Sequence, residues 1–172
     1  MSGFAVRVGQ GFDVHRFADD TSRPLVLGGV CFDGARGLEG HSDADVIAHA
    51  VADALLGAAG LGDIGQHYPD TDPKWKGANS IALLADVVGK VRAQGWEIGN
   101  VDCSVVCEEP KLAPHRDAMQ ETLSASVGAP VTVKGRRAEG LGALGRREGI
   151  ACWASAVLFR NGRDALRNEA EI

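Results

Sequence analysis

The segment from Gly40 to Leu56 constrains this chain more than any other. From Ala44 onward it reads as a helix, rich in Ala, Val, Ile and Leu. Ser42 or Asp43 can cap its start, and Gly57 and Gly60 offer places to stop. Val46, Ala50, Ala54 and Leu55 recur at helical spacing and make an apolar face. Asp45, His49 and Asp53 fall four apart and stack on a different face, with His41 just before the first turn. A solvated outer face is the plain alternative, but such a face ordinarily carries Lys, Arg and Glu, and this one has none.

At 172 residues the chain is long enough for one domain with a proper core and short for two. We expect a single domain over residues 1–160 and a polar C-terminal tail over 161–172. A formal charge of −5 argues against a general nucleic-acid binder, whose footprint would be basic. It leaves room for an anionic small molecule if cations are concentrated locally. They are: Lys134, Arg136, Arg137, Arg146 and Arg147 all lie between Val131 and Gly149. The cysteines at 31, 103, 107 and 152 sit among apolar neighbours, as small buried residues of a reducing compartment would. No signal-peptide pattern and no apolar run of roughly 20 residues is visible, so the expectation is a cytoplasmic protein without a membrane partner.

Phe4, Val6 and Val8 alternate with polar or small residues and predict a first strand running on into Gly9–His15. Asp13 and His15, two apart on an extended chain, point to the same face and present two ligands to one ion. The glycines at 9 and 11 allow backbone or substrate to come close. Leu25–Leu27 and Val30–Phe32 flank Gly28–Gly29 as a hairpin. After the central helix, the Pro-, Gly- and Asp-rich loop from Tyr68 to Gly77 is too long for a mere connector. A second helix starts at Ser80 as its cap, with Ile81, Leu84, Val88 and Val91 inward. A strand covers Trp96–Cys107, and a third helix runs from about Pro114 to Ser126, with Ala118, Met119 and Leu123 inward. Val131–Lys134 is a short strand. Ile150–Phe159 is a last strand whose near-continuous apolarity predicts burial on both faces. This order predicts an α/β sandwich, with helices on one face of a mixed sheet. Three helices leave the other sheet face uncovered, and self-association is the simplest cover.

Asp13, His15 and His49 together offer one carboxylate and two imidazoles. Three protein ligands leave a fourth tetrahedral position open, as in catalytic zinc sites. Asp45, one turn before His49, is expected to hold the other ring nitrogen of that histidine. Glu139, the lone carboxylate within the basic glycine-rich segment, suits a magnesium ion shared with phosphate oxygens. The chemistry alone points to zinc-dependent phosphoryl transfer or phosphohydrolysis.

The motifs Gly11–His15, Gly40–Val46, Leu61–Gly65, Pro69–Pro73, Pro110–Lys111 and Arg146–Ala151 occur in this order. Together they resemble the 2-C-methyl-D-erythritol 2,4-cyclodiphosphate synthase family over about residues 6 to 160. The resemblance implies a mixed four-stranded sheet plus a small hairpin, and a homotrimer whose active sites lie between subunits. It implies zinc at Asp13, His15 and His49, and magnesium or manganese at Glu139. His41, Ser42, Asp63 and Glu139 are the implied catalytic positions. Asp63, Ile64, Gly65, Asp70 and Asp72 are implied at the erythritol end of the substrate. Pro110, Lys111 and Leu112 match the segment that wraps the cytidine, Arg136 and Arg137 the diphosphate grip, and Arg146 the trimer axis. The implied reaction closes a cyclic diphosphate and releases CMP from a cytidine diphosphate-linked substrate. The chain departs from the family twice. Gly135-Arg136-Arg137-Ala138 stands where a threonine run is usual, and Ala143 stands where phenylalanine is usual. A nucleotide phosphohydrolase and a metal-binding trimer without catalysis remain the alternatives.

Overall fold

The computed structural model describes residues 4–161. In chain order the elements are β1 (Phe4–Arg16), β2 (Leu25–Leu27), β3 (Val30–Phe32), α1 (Val46–Ala59), α2 (Ile64–His67), α3 (Ser80–Ala93) and β4 (Glu97–Val106). They continue with α4 (Arg116–Val127), β5 (Val131–Arg136), α5 (Gly142–Gly145) and β6 (Gly149–Asn161). The main sheet has the order β1-β6-β4-β5 and is mixed: β6 runs antiparallel to both its neighbours, while β4 and β5 are parallel. β2 and β3 form a separate hairpin. Its turn residues Gly28 and Gly29 both have positive φ, 57° and 75°, which only glycine adopts without strain. The last strand takes in Arg160 and Asn161; the second was expected in the tail, and the remainder of that tail lies outside the described residues.

α1 lies on β1 and β6, α4 lies on β5, and α3 packs between α1 and α4. The strand residues facing this layer, among them Val101, Cys103, Val105, Cys152, Ala154 and Leu158, are buried. The close fit of α1 on β1 explains the glycines of the first strand. A Cβ on Gly9 would lie 2.0 Å from the Ala54 carbonyl oxygen, and one on Gly11 2.0 Å from that of Ala50. Backbone therefore meets backbone there, and of the two partners expected for these glycines it is the helix that fills the space.

Three local expectations are corrected. The cap of α1 is Asp45 rather than Ser42 or Asp43, because its carboxylate accepts the N–H groups of Ile47 and Ala48. The cap of α3 is Asn79 rather than Ser80. In α4, Ala118 is exposed, and Val127 completes the buried stripe with Met119 and Leu123. α1 itself is buried almost all round, only Asp53 and Gly57 escaping, so its lack of cations reflects a central position between sheet, hairpin and α3.

Among the described residues of a single chain, the last strand is covered on one face only. On the face away from the helices, Trp153 is 39% exposed and Val8 71%, and Phe4, Val6, Phe12 and Val14 are exposed beside them. Phe12 packs on Trp153 across the β1–β6 pair at 4.8 Å between ring centroids. Among the described residues no helix is long and apolar enough to cross a membrane.

Candidate active site

β1 and α1 bring the three expected ligands together. Asp13 and His15 project from the helix-facing side of β1, and His49 sits in the first turn of α1, where the close approach at Gly11 places it beside them. Asp13 Oδ2 lies 3.0 Å from His15 Nε2 and 2.9 Å from His49 Nδ1, and the two ring nitrogens are 3.4 Å apart. All three donor atoms fall within 4.8 Å of one another. Two nitrogens and one carboxylate oxygen converging on one point are a donor set for a divalent ion of the zinc type.

The opposite ring nitrogens are already engaged, which orients both imidazoles. His15 Nδ1 meets the Glu39 carbonyl oxygen at 2.6 Å and, with an acceptor there, must donate. His49 Nε2 lies 2.8 Å from Ser80 Oγ and 3.1 Å from Ser42 Oγ. Asp45, expected to be that partner, is elsewhere. Its fully buried carboxylate accepts from Gly28 and Gly29 at 2.8 and 2.6 Å as well as from the helix start, and so pins the hairpin to α1. Burial pushes the Asp45 pKa up, and the backbone N–H groups oppose that by favouring the anion.

Burial would likewise raise the pKa of Asp13, but the hydrogen bonds from His15 and His49 outweigh it and hold the carboxyl well below the usual range. Burial would lower that of His15, and the Asp13 carboxylate reverses the sign. The carboxylate that draws a proton onto His15 also favours a cation.

The triad opens into a cleft of about 450 Å³, also lined by His41, Ser42, Ile64, Gly65, Tyr68 and Asp70. His41 Nε2 donates to the Asp72 carbonyl at 3.0 Å, and the His41 carbonyl accepts from Gly77, so the Pro- and Asp-rich loop is stitched to the cleft wall. Trp75 packs edge-on against Tyr68, whose hydroxyl donates to Asp86. Arg23 donates to the Ser42 carbonyl. Asp63 stands outside the cleft lining, where it caps α2 through the Gln66 N–H, and Asp72 caps the 3₁₀ turn Pro73–Trp75.

A second, smaller cleft of about 210 Å³ gathers Pro110, Lys111, Leu112, Arg116, Arg136 and Arg137. Four cations thus surround it, with Glu108 as the one anion among its lining. Leu112 is buried against Gly135, while Lys111 and both Arg136 and Arg137 are exposed. Glu139 lines neither cleft, and Arg146 is engaged with Glu148 at 2.6 Å. Sequence reasoning missed Ser80, Glu39 and Arg23. A serine after Asn79 looks like a helix start, and backbone carbonyls leave no trace in composition.

Fold and site together define a mixed α/β protein with a candidate three-ligand metal centre open to a cleft. The chain belongs to the YgbB family, whose model matches residues 6–159. A 2-C-methyl-D-erythritol 2,4-cyclodiphosphate synthase of Bordetella petrii is 55% identical over 157 residues, 90% of this chain and 96% of that protein. The solved bifunctional IspDF of Campylobacter jejuni matches with a TM-score of 0.87 and 45% identity over 92% of this chain, which spans 43% of that larger one. The CDP complex of IspF from Plasmodium falciparum matches with a TM-score of 0.78 and 32% identity, covering 90% and 96% of the two chains.

Proposed function

We propose that this chain is a lyase that cyclises 4-diphosphocytidyl-2-C-methyl-D-erythritol 2-phosphate to 2-C-methyl-D-erythritol 2,4-cyclodiphosphate, with release of CMP, in isoprenoid precursor biosynthesis. The carrying observation is the Asp13–His15–His49 triad in one cleft with His41 and Ser42, in a chain 55% identical to a synthase of that name. The attacking 2-phosphate oxygen is already an anion, so the β-phosphorus needs no Ser, Cys or strong base delivered to it. The protein's task is to align the two phosphates and to balance their charge. His41 and Ser42 hold the reacting phosphate end, and Ile64, Gly65 and Asp70 hold the erythritol. Asp63, the cap of α2 next to Ile64, is assigned to the same end. Pro110, Lys111 and Leu112 hold the cytidine, and Arg136 and Arg137 the diphosphate. A zinc ion held by Asp13, His15 and His49, and a magnesium or manganese ion held by Glu139, would supply positive charge against the phosphates.

Among the described residues of one chain the metal-competent cleft and the basic cleft share no lining residue. The proposal therefore includes a homotrimer in which each complete site combines the two clefts from neighbouring subunits, and in which the exposed apolar face of β1 and β6 is covered. Arg146 faces the axis of that trimer. Sedimentation at micromolar concentration is expected to show three chains per particle, and a stable folded monomer would refute the shared site. The four cysteines are free, in keeping with a cytoplasmic location.

Phosphorus NMR of the purified protein with the authentic substrate tests the reaction. Cyclic diphosphate with CMP supports it. Inorganic phosphate would make the protein a phosphohydrolase, and unchanged substrate would leave a binding protein. The arginines that replace the family's threonines carry their own expectation. Charge-assisted contacts to a phosphate contribute roughly 1.5–3 kcal/mol each. Arg136→Ala or Arg137→Ala should then lower kcat/KM at least about tenfold. Wild-type kinetics in both variants would show that other groups hold the diphosphate.

A further inference from the structure

Ser80 opens α3 without capping it; only 1% exposed, it turns its hydroxyl to His49 instead. Counting protons fixes the direction of each hydrogen bond around it. Asp43 Oδ2 accepts the Ser80 backbone N–H at 2.9 Å, and Asp43 Oδ1 accepts the Ser80 hydroxyl proton. A hydroxyl has one proton, and with that proton given to Asp43 the oxygen can only accept from His49 Nε2. With its Nε2 proton given to Ser80, His49 has Nδ1, the atom 2.9 Å from Asp13 and 3.4 Å from His15 Nε2, left to face the triad. Ser42 Oγ, which accepts the Ala44 N–H, stands beside Ser80 as a second oxygen facing the same nitrogen. His15 is held the opposite way round, with Nδ1 donating to Glu39 and Nε2 facing the triad. The two histidines thus offer unlike nitrogens to one point, and each needs its own partner.

We propose that Ser80, oriented by Asp43, is a positioning residue that fixes the tautomer and ring angle of His49, and through them the metal affinity of the triad. Neither Asp43 nor Ser80 lines the cleft, so the pair acts on the ligand and not on the substrate.

Asp43→Asn keeps size and exchanges one acceptor for a donor; besides Ser80, Asp43 Oδ1 accepts the Asp45 N–H at 3.2 Å. With the amide oxygen on the Ser80 N–H the NH₂ faces the Ser80 hydroxyl and the Asp45 N–H, and turned the other way it faces the Ser80 N–H, so no orientation keeps all three contacts. Either the hydroxyl loses its fixed acceptor or the serine loses the N–H bond that holds it, and the contact with His49 Nε2 weakens in both cases. Ser80→Ala removes the nearer acceptor and leaves only Ser42 Oγ at 3.1 Å, while Asn79 keeps the helix cap. Two readouts are expected to agree. In zinc-loaded full-length protein, long-range ¹H–¹⁵N spectra should show His49 bound through Nδ1 with its proton on Nε2, and that proton should exchange faster with water in both variants. Competition for zinc against a chromophoric chelator should show affinity reduced roughly 10–100-fold in both variants, the range for partners that orient a metal ligand.

The inference rests on the triad being a metal site, and the two readings fail separately. Failure of the wild-type chain to bind zinc would remove the triad. His49 protonated at Nδ1 in the wild type, or zinc affinity within about twofold of wild type in both variants, would overturn the role of Ser80. Should Ser80→Ala not fold, the wild-type tautomer and Asp43→Asn decide the matter alone.

Discussion

Replacing His49 with alanine is expected to abolish high-affinity zinc binding and to reduce turnover by at least about a thousandfold. That factor follows from the charge stabilisation a bound divalent ion supplies, several kcal/mol, with each ~1.4 kcal/mol a factor of ten in rate. Asp13 and His15 alone leave two donors, too few to hold the ion against water. The fold should survive the change. His49 lies at the cleft end of α1, its polar contacts are to Asp13, His15, Ser42 and Ser80, and the helix is anchored by the apolar residues that follow it. Metal analysis of the purified variant, with circular dichroism as the control, checks both halves. Full metal content in a folded His49→Ala protein would remove the triad as the metal centre.

Asp45→Ala is expected to be the most damaging single substitution for stability. Its carboxylate is the meeting point of two chain segments, accepting from Gly28 and Gly29 in the hairpin turn and from Ile47 and Ala48 at the start of α1. Loss of a helix cap costs about 0.5–2 kcal/mol. Each further backbone N–H left buried without a partner costs about 1–3 kcal/mol. A loss of about 3–6 kcal/mol is a large share of the ~5–15 kcal/mol that holds a typical domain together. It would lower Tm by about 10–20 °C in a chain of this size. Asp45→Asn keeps the shape but turns an NH₂ toward backbone N–H groups, so it should fall between wild type and Asp45→Ala. Denaturant melts of both variants read the effect, and a shift below about 1 kcal/mol for Asp45→Ala would show that water or a rearranged turn replaces the carboxylate.

Part of this protein is legible in the order of its residues. The alternation of Phe4, Val6 and Val8, the Gly28–Gly29 turn and the apolar run of α1 each depend on a local period or turn geometry, and each forms where the pattern places it. The pairing of Asp13 with His15 is legible for the same reason, since two residues apart on a strand share a face. That His49 joins them follows from tertiary structure, because it requires α1 to lie directly on β1, and only the absence of a Cβ at Gly9 and Gly11 permits that approach.

Role assignments fail where the same residue type serves two ends. Asp45 has the spacing of a histidine's hydrogen-bond partner and the chemistry of a cap. Burial against the hairpin makes it a cap. Ser80 has the chemistry of a cap, yet Asn79 comes first along the helix and frees Ser80 for His49. Helix-capping propensities differ little among such residues, whereas leaving a buried donor unpaired costs more, so the three-dimensional surroundings decide. Composition and period are properties of neighbours along the chain and determined the elements. The direction of a hydrogen bond between residues 31 positions apart, as between His49 and Ser80, depends on which groups folding brings together and on how many protons they share.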